Sequence, residues 1–335
     1  MFDDAGAPLP ADIEMSAPAT IRSRLIHRPD ALSNGLNSDD IRRKVARGEW
    51  QIVRPGVYLP VSQLPSITAR QRHLMQIDAE LPHTSPDAVV SHLSAACELG
   101  IDLLRIPGRR VQVTIPTAAS GHRRPLLHTT RAAIDDDERV LRRGHPVTGP
   151  ARTLVDIART NRFDDALVAA DSALHQGLVS KAELLAATDR APRRAGMRQA
   201  RRVMLFADGG AESVGESLSR LLIARAALPT PQIQFPVPSG DGHGRAVCDF
   251  GWPEFATVGE FDGAEKYGRL LGPGERPGDA VFAEKVREDR IRDAGLVVVR
   301  WTWSDLDDPA HLADRIRRAL HRGAAQDRPG AAPRR

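Results

Sequence analysis

Polar and apolar positions alternate through Trp50-Gln-Ile-Val-Arg54-Pro-Gly56-Val-Tyr58-Leu around a Pro-Gly step, which predicts a compact β-hairpin. Just before it, Ile41 and Val45 stand four apart in a polar stretch, with Asn37 able to cap and Gly48 able to stop a helix over 38–47. Asp39 and Asp40 then fall in the positively polarised first turn. Further along, helical spacing predicts helices over 67–81, 88–99, 150–160 and 211–227, with others running to about Phe206, and a strand over 110–116. The C-terminal block reads as strands at 232–237, 245–250 and 256–261, then an amphipathic helix over 279–294. The near-continuous apolar run Leu296-Val-Val-Val-Arg300-Trp301 predicts a last strand buried on both faces.

These elements divide the chain. Residues 1–20, rich in Pro, Ala and Asp, are expected to be disordered. Residues 21–60 read as helix, helix and ribbon, and a basic helix followed at once by a hairpin is the plan of a winged helix-turn-helix. Residues 61–206 read as a mainly helical connector and 207–310 as an α/β core; 311–335 read as a helix and then a disordered tail. The expected class is α/β in the last block and α+β overall.

Composition sharpens the first of these blocks. Of 47 basic residues only Lys44, Lys181, Lys266 and Lys285 are lysine. The net charge is +4, and residues 21–60 alone carry eight basic against four acidic residues, so the rest of the chain balances. An excess confined to one short segment points to a polyanion, with Arg42, Arg43, Arg47 and Arg54 as the DNA-contacting residues. The alternative is a small helical cap whose arginines are only solvated. Cys97 and Cys248 lack partner spacing and read as reduced core thiols, and no leader or membrane-length apolar run is seen, so a soluble cytoplasmic protein is expected. His92 and Asp156 read as core or capping residues, and His83, His122, His128 and His145 lack metal-ligand spacing.

The second chemical signal lies between Arg245 and Tyr267. Two apolar segments, each ending on a carboxylate, are joined by Trp252-Pro253, so neighbouring strands can set Asp249 beside Glu260, with Asp262 on the face of Glu260. Carboxylates gathered at one end of a small sheet suit Mg²⁺ and phosphate chemistry.

Two resemblances follow from these residues. Glu216, Asp249, Glu260-Phe-Asp262-Gly263 and Val298-Val-Arg300-Trp-Thr-Trp303-Ser-Asp305 resemble the PD-(D/E)XK nuclease superfamily, in the branch of very-short-patch-repair endonucleases. Arg54-Pro-Gly-Val-Tyr58, Ser91-His92-Leu-Ser-Ala-Ala96 and Val147-Thr-Gly-Pro-Ala-Arg152-Thr-Leu-Val-Asp156 resemble AbiEi-type antitoxins of type IV toxin–antitoxin systems. The first resemblance implies Asp249 and Glu260 as Mg²⁺ ligands, with Glu216 holding a metal-bound water or a second metal. It places Asp262 where the family carries its catalytic lysine; Lys266 can substitute from the next turn, or Lys285 from the next helix, where Glu284 can add a ligand. Two readings remain: a Mg²⁺-dependent DNA endonuclease, or a non-enzymatic DNA-binding antitoxin with a degenerate nuclease fold. The second brings a cognate toxin or self-association as partners.

Overall fold

The computed structural model describes residues 24–190, 194–237, 246–263 and 294–326. The chain forms two compact units, Met1–Thr160 and Asn161–Arg335, so the division falls inside the stretch read as a connector. The architecture is mixed α+β.

The first unit opens with β1 (Ile26–His27), helices Arg28–Ser33 and Ser38–Ala46, and the hairpin β2 (Trp50–Arg54) and β3 (Val57–Pro60). The three strands form a sheet in the order β1-β3-β2. Asn37 caps the second helix, its side chain accepting the Asp39 and Asp40 N–H groups while Asp40 reciprocates to the Asn37 N–H. Gly56 turns the hairpin at φ +84°, a conformation that favours glycine. Ala31, Ile41 and Tyr58 close a small core beneath these elements.

Residues 61–160 differ from the expected helical connector. Between helix Ala69–Glu80 and helix Pro150–Thr160 run β4 (Val89–Val90), β5 (Val111–Thr114), β6 (His122–Arg123), β7 (Leu127–Thr130), β8 (Arg139–Arg142) and β9 (His145–Thr148). They build one six-stranded sheet, ordered β6-β7-β5-β4-β9-β8. Strands of two to four residues carry too few positions to show an alternating pattern, which is why only β5 was expected. The helix expected over 88–99 begins at His92, because Val89 and Val90 are spent as a fully buried central strand.

The second unit begins with four helices, Phe163–His175, Lys181–Asp189, Met197–Phe206 and Val214–Arg225. A four-stranded sheet follows: β10 (Gln232–Val237), β11 (Ala246–Trp252), β12 (Thr257–Phe261) and β13 (Val297–Trp301) in sequential order. The first two pairings are antiparallel and β12/β13 is parallel. Helices Val214–Arg225 and Pro309–Gln326 cover the face that carries Phe250, Trp252, Phe261 and Trp301. Gly215 and Gly259 make room for this: a Cβ at either would fall 2.0 Å from the Phe261 ring or 2.6 Å from the Trp301 ring. The helix expected over 279–294, with Glu284 and Lys285, lies outside the described residues, as do residues 1–20, Lys266 and the end of the tail. No helix among the described residues is long and apolar enough to cross a membrane.

Candidate functional site

The basic helix presents its cations to solvent. Arg42 bonds Asp39 at 2.8 Å, Arg43 bonds Asp40, and Arg47 approaches Glu49 at 3.9 Å, with the arginine side chains 78%, 59% and 70% exposed. Lys44 is drawn back, bonded to Glu49 at 2.9 Å and stacked on Trp50. The Asn37 N–H, helped by Arg43, holds the Asp40 carboxyl below its usual range. The three arginines therefore form a charged outer face; of its counter-ions, Asp39 and Glu49 are exposed and Asp40 is partly so.

Arg54 is placed differently. Its Nε lies 3.2 Å from Glu80 and its Nη1 donates to the Ala79 carbonyl at 3.4 Å, with only 18% of the side chain exposed. It ties the hairpin to the helix Ala69–Glu80, so it is a brace within the unit and not part of the exposed basic face.

Behind this lies a buried ionic layer. Arg143 bonds Asp78 and, at 3.3 Å, Glu98; His145 Nε2 meets Asp78 at 2.7 Å. Arg152 bonds Asp156 at 2.7 Å and Glu138 at 2.6 Å, and Arg159 takes the other Asp156 oxygen at 2.7 Å. Ser91 Oγ meets His92 Nδ1 at 2.9 Å and receives the Thr114 hydroxyl at 2.9 Å. Burial pulls His92 down to about 4 in spite of Asp156, and His73, bonded to the Gly108 carbonyl and Ser94, also falls to about 4. Ser91, His92 and Asp156 are sealed, at most 3% exposed. They act as core and brace, as the sequence suggested for His92 and Asp156.

In the second unit the strand register does set the carboxylates in a row. Phe250 pairs with Gly259, so one step along Asp249 faces Glu260, and Glu260 pairs directly with Arg300 on β13. Asp249 Oδ2 accepts the Phe261 N–H at 2.7 Å. Glu260 Oε2 receives Arg300 Nε at 2.8 Å. Glu216 is engaged on both oxygens, by the Ser213 hydroxyl at 2.7 Å, the Glu212 N–H at 2.9 Å and the Gln234 amide at 3.2 Å. Gln234 reaches it from a left-handed backbone, φ +51°, a strained conformation for a side-chain-bearing residue. Asp262 follows β12, its N–H bonded to the Trp301 carbonyl.

A hard divalent cation needs carboxylate oxygens turned toward a common point. Here Glu216 is engaged by a serine hydroxyl, a backbone N–H and a glutamine amide, Asp249 by a strand N–H and Glu260 by a guanidinium. Among the described residues no group of three or more His, Cys, Asp or Glu side chains is placed to hold a metal ion. Among the described residues, Glu216, Asp249 and Glu260, which the nuclease resemblance names as ligands, are held by protein donors and are not gathered on one point.

With this geometry in hand, the chain can be set beside known proteins. Residues 88–205 match the family model of the AbiEi antitoxin C-terminal domain. The match spans all of the six-stranded sheet and the helices up to Leu205, including Ser91–Ala96 and Val147–Asp156. Uncharacterised proteins from two strains of Mycobacterium tuberculosis, CDC 1551 / Oshkosh and ATCC 25618 / H37Rv, are each 34% identical over 182 residues, 53% of this chain. The chain spans 63% of the length of these relatives. A crystal structure of the RV2827C protein from M. tuberculosis aligns with a TM-score of 0.36 at 19% identity, over 59% of this chain and 80% of that one.

Sequence reasoning missed two features of the matched region. The buried arginines reach far along the chain, Arg143 to Glu98 45 positions away and, outside the matched stretch, to Asp78 65 away, and Arg152 to Glu138 14 away, which no local spacing announces. A basic stretch over 103–134 was also missed, although its signal was simple: six arginines and no acidic residue, hidden by a charge count taken over the whole remainder.

Proposed function

We propose that this protein is a DNA-binding regulator of the antitoxin type, in which residues 24–60 act as a winged helix-turn-helix. In this reading helix Ser38–Ala46 enters the major groove and the β2–β3 hairpin lies along the backbone. The observation that carries it is the order of parts along the chain: an exposed arginine face on a capped helix, a hairpin, and then the stretch matched to the AbiEi antitoxin C-terminal domain. The electrostatics support it. Exposed ion pairs such as Arg42–Asp39 contribute only ~0–1 kcal/mol, so a phosphate can replace the carboxylate with little loss. A cognate toxin and a second copy of the chain are the protein partners of this reading, and the four-stranded unit serves it as a docking module.

The runner-up, a Mg²⁺-dependent endonuclease, draws on the register that sets Asp249 beside Glu260. The engaged carboxylates argue against it. One experiment separates the two. Duplex DNA from upstream of the protein's own gene is titrated with wild type, Arg42→Gln/Arg43→Gln and Glu260→Ala, and cleavage is followed in Mg²⁺, Mn²⁺ or EDTA. The regulator reading expects binding that falls about tenfold or more in the arginine variant, no cutting, and normal binding by Glu260→Ala. Metal-dependent cutting lost in Glu260→Ala would replace it with the nuclease reading, and no binding at low salt would end both.

A further inference from the structure

From Leu103 to Ile134 the chain carries Arg105, Arg109, Arg110, Arg123, Arg124 and Arg131 and no Asp or Glu. All six arginines are exposed. The sheet gathers three of them at one end, where β5 begins and β6 ends. β7 lies between β5 and β6, with Arg123 paired across to His128. Arg110, at the foot of β5, donates from Nε to the Arg124 carbonyl at 3.1 Å.

The side-chain bonds of Arg109, Arg110, Arg123 and Arg131 go to uncharged groups. Arg109 and Arg131 donate to backbone carbonyls, and Arg123 meets the His128 ring at 3.4 Å. The crowding registers on His128, which burial first, then Arg123, Arg110 and His122, hold below the ordinary histidine range. This end also adjoins the hairpin: Arg109, next to Arg110, donates Nη2 to the Ile52 and Val53 carbonyls of β2 at 3.1 and 2.9 Å.

Guanidinium groups held together without carboxylates repel one another, and an anion that fits between them relieves that repulsion. Arginine is also the side chain whose planar fork matches a phosphate. We propose that Arg110, Arg123 and Arg124 form a second contact with the phosphate backbone of duplex DNA, at the end of the sheet next to the hairpin. This rests on the DNA-binding reading of residues 24–60 and extends its footprint into the region matched to the antitoxin family. The contact carries no base readout, so it adds affinity and salt dependence but not sequence preference.

The test uses the full chain and a fluorescent duplex, with Kd measured across a salt series. Replacing the three arginines by glutamine is expected to weaken binding about tenfold or more at moderate salt. It should also lower the slope of log K against log salt by about 2–3, near one unit per lost phosphate contact. Preference among duplex sequences stays as in wild type. Arg110→Lys/Arg123→Lys/Arg124→Lys keeps the charges and is expected to keep most of the slope, which a merely structural role for the arginines would not predict. A glutamine variant with wild-type slope and Kd, in a protein whose Arg42→Gln/Arg43→Gln variant loses binding, overturns this proposal and leaves the helix reading intact. Absence of duplex binding by wild type at low salt removes the helix reading and this extension together.

Discussion

On the helix Ser38–Ala46, Arg42 meets Asp39 at 2.8 Å with 78% and 68% of the two side chains exposed. On β12 and β13, Arg300 meets Glu260 at the same distance with 35% and 9% exposed. The bonds look alike and differ in what they allow. The first pair is already solvated, so exchanging Asp39 for a phosphate costs little. The second holds a nearly buried carboxylate, and taking Arg300 away would remove a charge paired with it. The sequence alone suggested a binding face in one unit and a metal centre in the other. The burial of the pairs supports the first and turns the second toward structure.

The deepest ion pairs give the largest test of this contrast. Arg143→Met leaves Asp78 and Glu98 buried without their shared guanidinium and is expected to destabilise the first unit by about 3–5 kcal/mol, read by urea unfolding. A cost under about 1 kcal/mol would mean that burial does not separate the two classes of pair.

Acid should act on the two units with opposite sign. His73 and His92 titrate near 6.5 when unfolded and near 4 when folded, because burial disfavours their charged forms. Between those values the unfolded chain binds more protons, so the stability of the first unit is fully present above about 6.5 and falls as pH drops toward 4. The loss is on the order of 3 kcal/mol per histidine. In the second unit burial lifts Asp171 from 3.8 to about 6, against the pull of Arg220. Its folded form binds the extra proton there, so its contribution rises as pH falls from about 6 to 4. Hydrogen exchange resolved by segment at pH 7 and pH 5 would show residues 69–160 loosening before residues 163–225. Parallel loosening would refute the assignment.

Glu260→Gln sits between the extremes, with an expected loss of about 1–2 kcal/mol in the second unit, followed by the fluorescence of Trp252 and Trp301. No loss of stability would reopen the carboxylate as a group kept for chemistry. Smallest of all is Arg42→Gln, expected to change thermal stability by under about 0.5 kcal/mol. A larger loss would make that arginine a brace like Arg54.

How much was legible follows from the range of each interaction. The capped helix after Asn37, the Pro55-Gly56 hairpin and the antiparallel pair carrying Asp249 and Glu260 were readable, because caps, turns and strand alternation act over a few residues. The six-stranded sheet was not. Its central pairs, such as Val90 with Val147, join positions far apart, and its strands are too short to declare themselves.

The sequence by itself therefore determined the local elements, the basic helix and the row of acidic residues. Only the tertiary structure decided which charges stay available. It turned Arg54 onto Glu80 and Glu260 onto Arg300, while leaving Arg42 and Arg110 in water. The physical reason is that a charge is free or committed according to the groups that folding brings beside it and the water that folding removes, and neither is written in the residue's own neighbours along the chain.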